Sequence, residues 1–474
     1  MTSPLWTSAE LLAATGGQLT APITREIGAV TIDSRAIGNG DAFIAIKGER
    51  LDGHDFVAVA LTQGAAVAVV SRVTPEMENA GPCLVVRDDP LRGLEAMGRA
   101  ARARSAAQIV AITGSVGKTS TKEMLRVALS ASGETHASAA SFNNHWGVPL
   151  TLARFPRSAA FGVFEIGMNH SGEIIPLVAM VKPHVAIVTT VAASHLGHFA
   201  SLDEIADAKA EIFTGVVPGG CAVINRDTPY FEKLAAAALA QGVSHIYGFG
   251  KHADAEIRLL RVALHANCCC ISADVLGETV TYKLGMPGEH MAINSLAVLA
   301  AVKLMGADLA RAAMALADAK PAKGRGVQQA LHLPDGDLQL IDESYNANPA
   351  SVRAALALLG HANPARQGRR IAVLGDMLEL GNSGPTLHAN LAEAMDAAEV
   401  DVLYAAGPLM KHLWMAIPEA KRGAYAATAA ELEPELLNNL RVGDVVMVKG
   451  SLGSRMGPLV EAMKAKWPTS QKDF

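Results

Sequence analysis

Cysteine is scarce: there are five in 474 residues, Cys83, Cys221, Cys268, Cys269 and Cys270. None of them makes the C-x-x-C spacing that zinc sites and redox pairs share, so neither a metal knuckle nor a disulfide framework is expected. Reduced thiols in a cytoplasmic protein are the expectation, with the Cys268–Cys270 run in a buried structural strand. Basic runs are lacking too, and the formal net charge is −5, which argues against nucleic acid as a partner. Long apolar runs are also missing. Pro176 to Ala193 is broken by Lys182, Pro183 and His184 before it could cross ~30 Å of hydrocarbon. The opening Met1-Thr2-Ser3-Pro4-Leu5-Trp6 has neither the basic nor the apolar stretch of a secretion signal. No membrane insertion is expected, no internal repeat is visible, and a monomer handling small molecules is the expectation.

What is present is apolar mass and one informative turn. Half of the residues are hydrophobic, and at ~100–200 residues per domain the length asks for two to four domains. The strand-like run Gln108 to Ile112 leads into Thr113-Gly114-Ser115-Val116-Gly117-Lys118-Thr119-Ser120, and a helix-like segment follows with Met124, Leu125, Ala128 and Leu129 at helical spacing. Strand, glycine turn and helix in that order are the context of a P-loop. Its glycines let backbone N–H groups close around phosphate oxygens, the helix N-terminus favours the anion, Lys118 reaches the β/γ-phosphates and Thr119 can meet Mg²⁺. The general pattern has a glycine five places before Gly117, where this chain has Ile112.

Three units follow from the organisation of the chain. Residues 1–105 read as a small module of short strands and turns with an alanine-rich helix near its end, Leu91 to Ala103. The arginines of that helix and its end, Arg92, Arg99, Arg102 and Arg104, read as a solvated face. Residues 106–320 alternate strands (108–112, 161–166, 185–191, 221–225) with helices (119–132, 202–215, 229–241), which predicts an α/β domain with a mostly parallel sheet and ligands at the strand carboxyl ends. There stand Glu165 and, past the next strand, His195. The helix near Leu202 carries Lys209 among acidic residues, and by itself this lysine reads as a solvated surface pair. Around Pro321 to Gly326 the pattern restarts after a proline- and glycine-bearing hinge. Residues 321–474 then show four strand–turn–helix units, starting at Leu338, Arg370, Val400 and Asp444, which predicts a second, Rossmann-like α/β sheet.

With these pieces placed, the chain resembles the Mur ligase family, three-domain ATP-dependent ligases of peptidoglycan precursor synthesis. The likeness rests on Thr113 to Thr119, Ser141 to Pro149, Glu165 to Asn169, His195-Leu196, Ala208 to Phe213, Gly288 to Asn294, Asp342 to Pro349 and Gly375 to Gly381. The last two are most similar to the branch that adds D-alanyl-D-alanine to UDP-N-acetylmuramoyl-tripeptide, whereas Asp33-Ser34-Arg35 with Asp52-Gly53-His54 is similar to the nucleotide-sugar domain of that branch and of the one acting just before it. One departure is Thr190, where many relatives carry asparagine.

The resemblance implies a UDP-sugar-peptide-binding first domain, a central ATP-binding domain and a C-terminal ligase domain. It implies that Gly114, Ser115, Val116, Gly117, Lys118, Thr119 and Ser120 hold the ATP phosphates, and that Asn294, Arg325 and Asp342 meet adenine, phosphate and ribose. It further implies Thr119, Glu165, His195 and Lys209 at Mg²⁺, with Lys118, His195 and Lys209 catalytic and Lys209 carrying a CO₂-derived carbamate. Ser34, Arg35, Asn143 and Asn144 are the candidates for the UDP-sugar peptide. Lys449-Gly450-Ser451 and Ser454-Arg455 could face the dipeptide, a helix cap and a solvated arginine being the other reading. Two rivals remain open at this point. Folylpolyglutamate synthetase lacks the N-terminal module, and a regulatory P-loop NTPase leaves Glu165, His195 and Lys209 unexplained.

Overall fold

The computed structural model describes residues 4–139, 141–194, 196–365 and 367–469. Three sheets follow one another along the chain. The first contains β1 (Gln18–Leu19), β2 (Ala29–Thr31), β3 (Asp41–Ile44), β4 (Val67–Val70) and β5 (Cys83–Val85) in the order β1-β5-β4-β3-β2. Only the β1–β5 pair is antiparallel. The unit is thus a small, largely parallel α/β module. The short runs Asp41–Ile44 and Val67–Val70 are buried throughout, and a sheet buried on both faces shows no alternation for a sequence pattern to catch.

The central sheet has nine strands. They are β6 (Gln108–Thr113), β7 (Thr135–Ala137), β8 (Phe161–Glu165), β9 (Val185–Val188), β10 (Cys221–Asn225), β11 (His245–Gly250), β12 (Ile257–Leu264), β13 (Cys269–Val275) and β14 (Glu278–Leu284), ordered β14-β13-β12-β11-β10-β9-β6-β8-β7. The six neighbouring pairs from β7 to β12 are parallel, and β12–β13–β14 form an antiparallel meander. β6 lies between β8 and β9, where the chain switches direction across the sheet; such a switch point opens a crevice at the strand carboxyl ends. The cysteine run begins β13 with its residues on alternating faces, so Cys269 is buried while Cys270 is exposed.

The third sheet has six strands, not four. They are β15 (Val327–Leu333), β16 (Gly336–Glu343), β17 (Arg370–Gly375), β18 (Val402–Ala406), β19 (Arg422–Ala426) and β20 (Val445–Lys449), in the order β15-β16-β20-β17-β18-β19. β15 pairs antiparallel with β16 and the rest are parallel. Helices flanking these sheets carry clear start signals. Thr74, Asp89 and Asn348 cap helices whose first turn holds Pro75, Pro90 and Pro349, a combination that satisfies free N–H groups and presets the backbone.

Packing divides the units unequally. One buried cluster runs from Trp6 and Leu11 of the first unit through Met97 to Phe164, Phe213 and Leu234 of the second. The helix Pro90–Ala103 crosses the helix Gly147–Ala153 at Gly98, where a Cβ would lie 3.2 Å from that of Leu152. Trp6 donates from Nε1 to Ala153 O at 2.8 Å. Arg104 lies 4.1 Å over the Trp6 ring and donates to Leu5 O, while Arg102 donates to Val181 O at 2.7 Å and Lys182 O at 2.9 Å. Arg102 is therefore an interdomain staple and Arg104 ties its helix to the start of the chain; only Arg92 and Arg99, paired on the surface with Glu95, behave as a solvated face. The third unit keeps its own cores, one on each face of its sheet. Its links to the second include three hydrogen bonds: Gly197 N to Glu379 O at 2.8 Å, Gln328 Nε2 to Ala266 O at 2.7 Å and Arg325 Nη2 to Ser141 Oγ at 3.3 Å.

Candidate active site

A cleft of about 740 Å³ lies where the carboxyl ends of the central sheet face those of the third. Ser115 to Ser120, Asn143, Glu165 and Asn294 line one wall, and Arg325, Glu343, Tyr345 and Lys449 line the other.

The glycine turn is built by close approach. Gly114 has φ +149°, and a Cβ there would fall 1.9 Å from Thr189 Oγ1; Gly117 has φ +85°, and a Cβ would fall 2.5 Å from Asn294 Nδ2. Both positions need a residue without a side chain. Thr189 Oγ1 donates to Val116 O at 2.6 Å, and Ser115 N donates to Thr190 O at 2.9 Å, so the turn is stitched to the chain leaving β9. Ile112 is still within β6, paired with Glu165 and Ile187. The turn therefore starts later than in the general pattern and has no use for a glycine at 112. The helix Lys118–Ser130 begins at Gly117, and its first N–H groups, which no preceding turn can satisfy, face the cleft.

Lys118 folds back and donates from Nζ to Gly114 O at 2.6 Å. Burial lowers its pKa, with Arg325 adding to the shift and Glu165 opposing it. Glu165, 1% exposed, accepts from Thr119 Oγ1 at 2.9 Å and from Asn143 Nδ2 at 2.7 Å. It is neither a helix cap nor a loose turn carboxylate, but the centre of an oxygen-rich group beside the phosphate turn.

Lys209 overturns the surface reading. It is 2% exposed within the helix Leu202–Ala210, and burial first, then the charge of Lys118, holds its pKa well below the usual lysine value. Acidic neighbours in sequence misled because Asp203 and Asp207 lie on another face, where they bind Lys233 at 3.1 and 3.0 Å. His195 lies outside the described residues.

On the third unit's side, alternation along β16 separates two adjacent carboxylates. Asp342, 2% exposed, accepts at Oδ1 from Ser344 Oγ at 2.6 Å and from Ser344 N at 3.1 Å, and does not line the cleft. Glu343 does, paired with Lys449 at 3.1 Å, and Lys449 also donates to Asn346 O at 3.0 Å. A period of two puts the two carboxylates on opposite faces of β16, but both faces carry core residues, so the sequence does not say which one meets the cleft. Ser451 and Ser454 serve local structure: Ser451 Oγ joins Ala347 O and Leu378 N, and Ser454 Oγ donates to Ser451 O at 2.6 Å.

The four candidates for the sugar peptide separate. Asn143 lines the cleft, whereas Asn144 accepts at Oδ1 from Trp146 N and Gly147 N and so shapes the entry to the helix Gly147–Ala153. Ser34 and Arg35 do not line the cleft. Arg35 is exposed and held bidentately by Asp33, at 2.9 and 2.8 Å.

The donor set fits a nucleotide with Mg²⁺: a helix N-terminus with two enforced glycines suits phosphates, and one carboxylate with a hydroxyl suits a hard cation that keeps waters and phosphate oxygens as its other ligands. Among the described residues there is no group of three or more His, Cys, Asp or Glu able to hold a metal by itself.

Three family models match in chain order: Mur ligase family, catalytic domain (residues 26–105), Mur ligase middle domain (112–302) and Mur ligase, glutamate ligase domain (329–452). The UDP-N-acetylmuramoyl-tripeptide--D-alanyl-D-alanine ligase of Escherichia coli is 34% identical across 92% of this chain and 93% of its own. A crystal structure of MurF from Acinetobacter baumannii superposes with a TM-score of 0.84 at 31% identity, covering 97% of this chain and 99% of that one. MurF from Thermotoga maritima in complex with ADP shares the fold, with a TM-score of 0.75 at 24% identity over 94% of this chain and 98% of that one. Matched along nearly its whole length in both sequence and fold, the chain belongs to the Mur ligase family.

Proposed function

We propose that this protein is an ATP-dependent amide ligase that joins D-alanyl-D-alanine to UDP-N-acetylmuramoyl-tripeptide in peptidoglycan precursor synthesis. The observation that carries the reading is the cleft itself, with a phosphate turn and a buried carboxylate on one wall and a separately cored α/β unit on the other. Relatives that match over more than nine-tenths of the chain bear that activity in their names. In this reading residues 1–105 bind the UDP-sugar peptide, 106–320 bind ATP and 321–474 bring the dipeptide.

The peptide carboxylate attacks the γ-phosphorus of ATP and ADP leaves, giving an acyl phosphate. The dipeptide amine then attacks the acyl carbon, and the amide forms as phosphate leaves and the amine gives up a proton. Phosphoryl transfer asks for in-line positioning and neutralised charge rather than covalent help. The turn Gly114–Ser120 cradles the phosphates with its N–H groups. Lys118, now resting on Gly114 O, swings onto the β/γ-phosphates, and Arg325 adds a second cation from the opposite wall. Asn294, packed against Gly117, faces the base, and Glu343 takes the ribose side that Asp342 turns away from. Thr119 and Glu165 would hold one Mg²⁺, and Lys209 with His195, which lies outside the described residues, would hold a second. Magnesium, when bound, neutralises the phosphate oxygens.

Lys209 fits that role only as a carbamate, an oxygen ligand formed when a neutral amine adds CO₂. Its buried, charge-crowded place favours the neutral amine. Asn143 and the exposed Ser34 and Arg35 are assigned to the acceptor, with Asn144 acting through the turn that it shapes. Closure of the third unit would keep water from the acyl phosphate.

The test is phosphate release from ATP and Mg²⁺ with UDP-N-acetylmuramoyl-tripeptide and D-alanyl-D-alanine added singly and together, with mass spectrometry of the product. Release that needs both and yields a UDP-pentapeptide is the expected result. Release indifferent to both would point to a regulatory NTPase instead.

A further inference from the structure

Arg325 leaves the chain at a tightly fixed turn. Glycines with φ +73° and +97° flank it, and a Cβ on Gly324 would lie 3.0 Å from that of Tyr345. Tyr345 N donates to Gly324 O at 3.1 Å, and Gly326 N donates to Asp342 O at 2.8 Å. The backbone before Arg325 is thereby sewn to the end of β16, yet an arginine side chain retains many rotamers beyond its Cα. Two contacts remove that freedom. The guanidinium carbon lies 4.3 Å over the centre of the Tyr345 ring, within cation–π range. On the far side, Nη2 donates to Ser141 Oγ at 3.3 Å.

Ser141 belongs to the central unit, and its hydroxyl lies 3.5 Å from Thr119 Oγ1, which donates to Glu165. A continuous polar path therefore runs from the Tyr345 ring through Arg325 and Ser141 to the phosphate turn. Arg325 is near enough to Lys118 to disfavour its charge.

We propose that Tyr345 and Ser141 are positioning residues that bracket Arg325 from opposite walls of the cleft and aim its guanidinium at the transferring phosphate. Tyr345 supplies the face against which the plane of the guanidinium lies. Ser141 supplies the acceptor that fixes its rotation, and it is met only when the two walls stand at this separation. The bracket therefore couples the seating of the third unit to the placement of the cation. This rests on the reading of the cleft as the ATP site.

Full-length Tyr345→Phe, Tyr345→Leu, Ser141→Ala, Arg325→Lys and the double variant Tyr345→Leu/Arg325→Lys would be compared by kcat, by KM for ATP and for the UDP-peptide, and by thermal midpoint. Tyr345→Leu is expected to lower kcat about tenfold, with the KM for the UDP-peptide unchanged. Tyr345→Phe, which keeps the ring, should stay within about twofold. Ser141→Ala should lower kcat about threefold. The double variant should be no worse than Arg325→Lys alone, because both changes disable one group.

Equal loss in Tyr345→Phe and Tyr345→Leu, or strictly additive losses in the double variant, overturns the bracket. Should Tyr345→Leu fold too poorly to assay, an unchanged kcat in Ser141→Ala overturns it independently. An Arg325→Lys variant with unaltered kcat and ATP binding would sink the nucleotide reading itself. Impaired Arg325→Lys beside intact Tyr345→Leu and Ser141→Ala sinks only the bracket.

Discussion

The amide of Gly197 donates to the carbonyl oxygen of Glu379 at 2.8 Å, tying the loop beyond β9 to the Gly375–Gly381 stretch of the third unit. Glu379 is one of few non-glycine residues with positive φ, at +63°, a backbone state that costs about 1–3 kcal/mol and is held only where the surroundings insist on it. Gly381, at φ +54°, lies against Gly197 with 3.4 Å between an added Cβ and the Gly197 Cα. The seating of the third unit thus reaches a loop that the nucleotide site depends on.

Replacing Gly197 by proline removes the donor, whereas alanine at the same place meets nothing nearer than Glu379 O at 3.5 Å. Losing one such bond is worth about 1 kcal/mol, roughly fivefold. Gly197→Pro is expected to lower kcat by at least that factor, while Gly197→Ala stays near the parent. Steady-state kinetics of the two, side by side, check this, and equal behaviour would show that the bond does not matter.

Gly114→Ala forces a methyl group to within 1.9 Å of Thr189 Oγ1 at φ +149°. Overpacking and backbone strain together amount to about 2–4 kcal/mol, which predicts a roughly hundredfold loss of ATP affinity. Adding Thr189→Ala removes the hydroxyl in the way and should recover part of it. Calorimetric titration of ATP into both variants decides whether the clash or the strain dominates.

Lys209→Met is expected to abolish ligase activity and yet raise the thermal midpoint in CO₂-free buffer near neutral pH. The folded-state pKa of Lys209 lies well below the ordinary 10.5, so between those two values the unfolded chain binds the extra proton and wild-type stability rises with pH. The advantage of methionine should accordingly shrink as pH climbs towards 10.5. A pH series of melting curves tests this sign. Separately, incorporation of ¹³C-bicarbonate should give a carbamate signal in the parent and none in Lys209→Met.

Much of the site was legible because phosphate chemistry leaves marks in order along the chain. The run from β6 through Gly114 and Gly117 to Lys118 and Thr119 reads directly, and Glu165 stands at a strand end where ligands gather. Burial was harder to read. Lys209 looks like a surface residue because the acids beside it are spaced for a helix surface, and only the fold shows that its own face points inward. Arg102 and Arg104 look solvated because backbone carbonyls 79 and 99 residues away are invisible to a local pattern. Asp342 is named by its motif, whereas the side that it and its neighbour Glu343 face depends on where pairing with β20 ends, at Glu343–Lys449. The cysteine run marks β13, but its neighbours β12 and β14, and the pair β15 and β19, escape because their burial is mixed and their flanking turns are modest.

The first two units share one buried core around Trp6, Met97 and Phe164, whereas the third keeps its cores to itself. A change on either side of that seam is felt by the other, so the first two units are expected to be inherited as a single body. In the proposed reading the third unit brings the amine, and its separate cores leave it free to drift wherever it does not present Glu343, Tyr345 and Lys449 to the cleft.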